Sequence, residues 1–199
     1  NVSIYPGTET FRTGVNEDGR TVVAANFNTV IARKGEASLT RFVGRIIGDE
    51  KRNERTAQLL LDFVNRNIPY DHEEADSGVQ VMKRPNEVLL SHKSICANRA
   101  GLYASLLEQT TVDYRLIYEP AKHHATIAVA GAFENVNGYR FTIDGKTFHL
   151  AEPTVRSGGF QIGWTELRNC SAQDAEFYQR PGPNAPIYRY GTKEAMPFE

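Results

Sequence analysis

Cysteine is scarce in this chain of 199 residues, which contains only Cys96 and Cys170. Extracellular modules that depend on a disulfide framework normally carry more cysteines, and a chain of this length can bury its own core without such cross-links. A disulfide-stabilised extracellular module with one bridge between these two residues is still a possible interpretation. We expect the bridge not to form, because it would remove the free thiol of Cys96, the cysteine whose sequence surroundings favour reactivity.

The chain also lacks a strong net charge and a long apolar run. Its formal net charge is −1 at pH 7 and its isoelectric point is near 6.6, so its electrostatics favour neither nucleic acid nor an anionic membrane as a partner. No apolar run approaches the length that crosses a bilayer. We therefore expect no nucleic-acid partner and no membrane-spanning segment, and the oligomeric state is left open.

The chain begins at Asn1 rather than at methionine. This start indicates a processed form or an excised piece, and it favours an extracytoplasmic location without identifying a compartment. The length suits one domain better than two. We expect residues 1–199 to form a single domain, with an N-terminal extension over residues 1–50 and a proline-rich C-terminal tail over residues 180–199.

Apolar spacing predicts that helices come first in the chain. Intervals of three and four residues predict amphipathic helices over residues 36–47 and 56–67, and Pro69 prevents the second from continuing. Residues 20–32 fit either a strand or the start of a helix. The acidic residues 71–78 are predicted to be a solvated loop, because they lack the ligand pattern of a calcium-binding loop.

Strands follow the helices. Alternating apolar residues predict strands over residues 112–118 and 124–130. Two further strands, over residues 139–143 and 146–150, flank Asp144-Gly145, a dipeptide that is favoured in two-residue hairpin turns. Short turns favour antiparallel pairing, so the expected fold class is α+β, with helices packed on an antiparallel sheet.

Cys96 lies at the predicted start of a buried helix. Ser94 is a suitable N-cap residue, and residues 97–107 have an apolar face with helical spacing. A cysteine in the first turn lies near the positive end of the helix dipole, which favours the thiolate and makes the sulfur a nucleophile near neutral pH. The alternative is a cysteine that acts only as a small buried hydrophobe.

A cysteine nucleophile needs a base close by, and the base needs an orienting group. His124 begins a predicted strand, where its imidazole can face a helix N-terminus across a cleft. Glu152 follows the last predicted strand of the hairpin and can accept a hydrogen bond from the far nitrogen of the imidazole, as the third member of a triad does. Taken singly, His124 fits a structural histidine and Glu152 fits a surface carboxylate.

The histidines do not form a metal-binding pattern. His72, His92 and His149 have no partner at metal-ligand spacing, and the adjacent His123 and His124 cannot direct both rings to one face of a strand. We therefore expect no structural zinc, no other bound metal and no cofactor.

Together these motifs resemble the transglutaminase-like superfamily of cysteine enzymes. Residues 94–100 fit its Gly-x-Cys-x-x-x-Ala pattern with Ser for Gly, His124-Ala125-Thr126 fits His-x-Trp with Thr for the aromatic residue, and residues 151–154 fit Asp-Pro-Thr with Glu for Asp. Residues 68–70, 84–90 and 112–117 look like the segments around the nucleophile in that superfamily. The recognisable core covers residues 56–154.

The resemblance implies a papain-like α+β core, with the catalytic cysteine at a helix start that packs on an antiparallel sheet. It implies Cys96 as the nucleophile, His124 as general base and acid, and Glu152 as the orienting carboxylate. The oxyanion would be held by the backbone N–H of Cys96 and by a second donor, which we assign to Tyr70 as a hypothesis. The implied activity is cleavage of peptide or amide bonds in a peptide or protein substrate through a thioester. Hydrolysis is favoured over crosslinking, because nothing resembles the extra domains or calcium loops of large crosslinking enzymes.

Two departures from the superfamily pattern favour a competing hypothesis. Glu152 is longer than aspartate by a methylene group, and Thr126 removes an aromatic wall beside the imidazole. A domain can keep its fold after activity is lost. The alternative is therefore an inactive transglutaminase-like domain whose cleft serves as a scaffold that binds a peptide or protein.

Overall fold

The computed structural model describes residues 11–15, 21–25, 27–77, 81–119, 124–133, 140–143, 145–154, 161–163, 176–178, 187–189 and 195–196. The helices are α1 (Phe27–Val30), α2 (Ala37–Ile47), α3 (Asn53–Asn67), α4 (His72–Asp76), α5 (Pro85–Ser91) and α6 (Cys96–Leu107). The strands are β1 (Phe11–Val15), β2 (Thr21–Ala25), β3 (Tyr114–Glu119), β4 (His124–Ala130), β5 (Arg140–Ile143), β6 (Lys146–Ala151), β7 (Glu176–Tyr178), β8 (Ile187–Arg189) and β9 (Ala195–Met196). Cys170, His123 and Asp144 lie outside the described residues.

The described strands form two antiparallel sheets. Strands β1 and β2 pair with each other, and the larger sheet has the order β5-β6-β4-β3-β7-β8-β9. In this sheet His124 pairs with Glu119, and Ile127 pairs with Ala151. Because helices and antiparallel strands occupy separate stretches of the chain, the fold class is α+β, as the sequence predicted.

Helix α6 lies at the centre of the core. Every residue from Cys96 to Leu107 is buried, because α6 packs on β3 and β4 as well as on α2, α3 and α5. A buried polar contact joins α6 to α3, since the Tyr103 hydroxyl donates to the Ala57 carbonyl at 3.0 Å. The first residue of α6 is therefore held in place by both the helices and the sheet.

Helix α4 corrects the sequence prediction for residues 71–78, which expected a solvated loop. Residues His72–Asp76 form a short helix, and the Asp71 side chain accepts a hydrogen bond from the Glu74 N–H at 3.1 Å. An aspartate at the N-cap and carboxylates in the first turn both favour a helix start. The acidic composition thus stabilises a turn of helix rather than a loop.

The structure also defines two stretches that the sequence left open. Residues 20–32, which fitted a strand or a helix, contain both, since β2 is followed by α1. The proline-rich tail over residues 180–199 contains β8 and β9, which extend the large sheet. Strands of two or three residues are too short to show an alternating pattern, so the sequence carries no signal for them.

No helix in the described part of the chain combines the length and the apolar character that crossing a membrane requires.

The two glycines near the end of α2 should respond in opposite ways to alanine. Gly44 lies inside α2, and a methyl group there meets no described atom within 4 Å, so we expect Gly44→Ala to raise the free energy of unfolding by about 0.5–1 kcal/mol. Gly48 follows the helix with a φ of 58°, where a side chain is strained, so Gly48→Ala should lower it. Urea denaturation measures both. Shifts of the same sign would contradict this account of the helix end.

Candidate active site

Cys96 is the first residue of α6, and the preceding loop fixes its position. The prediction that Ser94 is the N-cap of α6 is wrong, because Ile95 occupies the N-cap position. Ser94 instead forms a parallel bridge with Tyr70. Its N–H donates to the Pro69 carbonyl at 3.0 Å and its carbonyl accepts from the Asp71 N–H at 3.1 Å. These backbone bonds join the start of α6 to the chain that follows α3.

His124 and Glu152 meet at one end of the sheet. His124 begins β4 and Glu152 directly follows β6. The antiparallel register sets Ile127 opposite Ala151. Glu152, the next residue along the chain, therefore lies closer to the start of β4, where His124 is. The His124 Nε2 atom lies 2.8 Å from the Glu152 Oε2 atom, so the longer side chain of glutamate still reaches the imidazole.

The Glu152 carboxylate is buried and held by its neighbours. Its Oε1 atom accepts hydrogen bonds from the Thr154 hydroxyl and from the Thr154 N–H, the latter at 2.9 Å. Its main-chain carbonyl accepts from Asn65 Nδ2 at 3.1 Å. One carboxylate oxygen is thus occupied by Thr154, which leaves the other directed at His124.

The Cys96 side chain is hydrogen-bonded to His124. Since Nε2 of the imidazole contacts Glu152, Nδ1 is the ring nitrogen left for the sulfur. The backbone N–H groups of Ala125 and Ala97 also donate to Cys96. Among the described residues, Cys96 forms no disulfide.

Charge and burial act against each other at all three residues. Burial raises the pKa of the Cys96 thiol, but the hydrogen bond and charge of His124 outweigh it and lower the pKa overall. Burial lowers the pKa of His124, but the Glu152 charge and the Cys96 contact raise it to about 10. The pKa of Glu152 is lowered despite its burial, because of His124 and Thr154. These shifts favour a thiolate beside an imidazolium that is paired with a carboxylate.

The imidazole is the most accessible part of the cluster. Cys96 is 5% exposed and Glu152 is 5% exposed, whereas 18% of the His124 side chain is exposed.

Tyr70 lies beside the start of α6 through its bridge to Ser94. Its ring packs edge-on against His72, with ring centroids 5.0 Å apart. It also interacts electrostatically with Arg99, one turn along α6 from Cys96. Its role as an oxyanion donor stays a prediction.

The family model of the transglutaminase-like domain matches residues 40–166. This range includes Tyr70, Cys96, His124 and Glu152. The chain belongs to the transglutaminase-like family. The resemblance inferred from the sequence motifs is thus confirmed, together with the α+β fold class that it implied.

Several solved structures are similar to this transglutaminase-like chain at low sequence identity. A candidate cysteine protease from Cytophaga hutchinsonii is 13% identical with a TM-score of 0.44, and the match covers 87% of this chain and 57% of that one. A TGase is 18% identical with a TM-score of 0.41, covering 67% of this chain and 35% of that one. A candidate protease from Parabacteroides distasonis is 11% identical with a TM-score of 0.47, and the match covers 94% of this chain and 36% of that one. This chain therefore spans 35% to 57% of the length of these structures. No match is found among curated proteins.

Three residues of the candidate site had no role predicted from the sequence. Thr154 belongs to the Glu-Pro-Thr motif, and its position two residues after Glu152 was the available signal. Arg99 is the charged residue of the buried helix α6, and a fully buried charge is itself a signal of a special role. Asn65 lies 87 positions before Glu152, and nothing in the local sequence marks it.

The remaining described histidines do not belong to the cluster of Cys96, His124 and Glu152, although the His72 ring packs against Tyr70. His72 and His92 are exposed, and His149 is buried with its ring 5.1 Å from that of Phe133. Within the part of the chain that the structure describes, no group of three or more His, Cys, Asp or Glu side chains is arranged to hold a metal ion.

Proposed function

We propose that this transglutaminase-like chain is a cysteine-dependent acyl-transfer enzyme that cleaves peptide or amide bonds in a peptide or protein substrate. The observation that carries the proposal is the hydrogen-bonded series of Cys96, His124 and Glu152, in which His124 Nε2 lies 2.8 Å from Glu152 Oε2. The three residues come from a helix start, a strand start and a strand end, so the fold brings them together from distant parts of the chain.

In the first half of the reaction, the Cys96 thiolate attacks the carbonyl carbon of the scissile amide. The negative charge that forms on the carbonyl oxygen would be stabilised by the Cys96 N–H, with Tyr70 as the proposed second donor. The His124 imidazolium then gives its proton to the leaving nitrogen, and the C–N bond breaks. An amine leaves, and a thioester joins the acyl group to Cys96.

In the second half, neutral His124 takes a proton from water as the water oxygen attacks the thioester. The C–S bond breaks, a carboxylic acid leaves, and the thiolate and imidazolium are restored. Glu152 stays ionised throughout, and it keeps the imidazole oriented and stabilises its positive charge.

We also propose that residues 1–199 act as one domain. Helix α2 belongs to the N-terminal extension of residues 1–50, yet it packs on α3 and α6. Strands β7, β8 and β9 continue the sheet that carries His124. Described segments of the N-terminal extension and of the C-terminal tail thus support the proposal of one domain.

The pH dependence of Cys96 alkylation tests the proposal directly. We expect iodoacetamide to modify Cys96 with a pH midpoint below about 8.5, the pKa of an unperturbed thiol, because His124 stabilises the thiolate. Mass spectrometry of the digested protein identifies the modified cysteine at each pH, and protein unfolded in urea is the reference. A midpoint equal to that of the unfolded reference would contradict the proposal and favour the inactive scaffold.

A further inference from the structure

Arg99 is a buried cation one turn along α6 from Cys96. It is 1% exposed, and its Nη2 atom donates to the Asn65 Oδ1 atom at 2.9 Å. Its Nε atom has no hydrogen-bond partner among the described residues. Nor does any described carboxylate form an ion pair with it.

Packing alone does not explain such a residue. A buried charge without a counter-ion is costly, and an apolar side chain of similar volume would stabilise the core better. The buried Arg115 in β3 also has an Nε atom without a hydrogen-bond partner among the described residues, but its charge is paired with a carboxylate. Its Nη1 atom lies 2.6 Å from Asp113 Oδ1, and its guanidinium lies 4.6 Å from the centroid of the Phe148 ring.

The charges around Arg99 are those of the proposed catalytic residues. Burial lowers the pKa of Arg99 to about 10, and the negative charges of Glu152 and Cys96 oppose that shift. A thiolate, an imidazolium and a carboxylate together carry one net negative charge, and the guanidinium makes the buried group neutral. Asn65 adds a direct link, because it accepts from Arg99 and donates to the Glu152 carbonyl at 3.1 Å.

We propose that Arg99 is a positioning residue that supplies the counter-charge of the buried site and, through Asn65, holds the Glu152 backbone in place. The inference rests on the proposed function, since it requires Cys96 to work as a thiolate. With 1% of its surface exposed, Arg99 does not contact substrate. It acts through Cys96 and Glu152.

Other charged groups near this site are already paired with one another. On the side of Tyr70, Asp71 lies 3.3 Å from Lys93 Nζ, and Lys83 forms an ion pair with Glu74. His124 is paired with Glu152. Among the described residues near the site, Arg99 is therefore the buried cation that has no ion pair of its own. Its charge can balance the negative charge of Cys96 and Glu152.

The test compares the pH profile of Cys96 alkylation in Arg99→Gln and in the unsubstituted protein. We expect Arg99→Gln to raise the midpoint by about one pH unit, which is about a tenfold decrease in the acid dissociation constant of the thiol. Arg99→Lys keeps the positive charge, so its alkylation midpoint should stay close to that of the unsubstituted protein. Arg115→Gln is the matched control, because it also removes a buried guanidinium. It should lower the melting temperature and leave the midpoint unchanged.

Asn65→Asp approaches the same question without deleting a large side chain. The new carboxylate would pair with Arg99 and cancel its charge, so we expect the midpoint of Cys96 to rise. This variant decides the question if Arg99→Gln does not fold. An unchanged midpoint in folded Arg99→Gln, or in Asn65→Asp where the first variant is unfolded, would overturn the inference. The proposed function fails separately, if the unsubstituted protein shows no lowered midpoint.

Discussion

Cys96→Ala should abolish acyl transfer, and we expect the rate to fall by at least about 10⁴-fold. The reason is that the thioester cannot form without the sulfur, whereas the remaining groups only position substrate and orient the imidazole. Hydroxylamine provides the measurement. It attacks the thioester carbonyl in place of water and releases the acyl group as a hydroxamate, which can be quantified after incubation with a peptide mixture from digested casein.

Two variants make the result specific. Cys96→Ser keeps a similar shape but replaces the thiolate with a much weaker nucleophile, so hydroxamate formation should again be lost while the melting temperature stays near that of the unsubstituted protein. Cys170→Ser is the matched control, because it removes the only other cysteine of the chain, and it should retain activity. Equal hydroxamate formation by Cys96→Ala and the unsubstituted protein, or none by either, would contradict the proposed mechanism.

The best-predicted parts of the fold are those where a long periodic pattern coincides with burial on one side. Alternation predicted β4 with its observed limits, His124–Ala130, and helical spacing predicted α2 to within a residue of its observed start at Ala37. Helix α4 was missed because its stability comes from the Asp71 cap rather than from an apolar face. Strands β8 and β9 were missed because they exist through pairing with a neighbouring strand.

The same division applies to the site. Cys96, His124 and Glu152 each begin or follow a regular element, so the sequence predicted their positions. Their supporting residues depend on packing between distant elements, as with the bond from Asn65 to the Glu152 carbonyl. The N-cap was assigned wrongly for a similar reason, since Ser94 is drawn into a bridge with Tyr70 that local sequence does not reveal.

Glu152→Gln should have the second largest effect, with acyl transfer falling by about 10²–10⁴-fold. Glutamine keeps the length of the side chain but removes the negative charge, so the imidazolium loses its partner and the thiolate becomes less stable. Both the hydroxamate rate and the alkylation midpoint of Cys96 should respond, with the midpoint rising. Glu152→Asp is the control that keeps the charge. We expect it to retain more activity than Glu152→Gln, although its shorter side chain must still reach both His124 and Thr154.

The pH dependence of the unfolding free energy distinguishes the effect of the Glu152 charge from the effect of the shape of its side chain. The pKa of Glu152 is lowered in the folded protein, so its contribution to stability is present above its unfolded pKa and is lost as pH falls through the folded value. The pKa of His124 is raised to about 10, so its contribution is fully present below its unfolded pKa and is lost as pH rises through the folded value. The gap in unfolding free energy between the unsubstituted protein and Glu152→Gln should therefore be widest between pH 4.5 and 6.5, the ordinary pKa values of the two groups, and should narrow toward both extremes. A gap that does not change with pH would mean that Glu152 acts in the fold as a neutral side chain, and its orienting role would then be excluded.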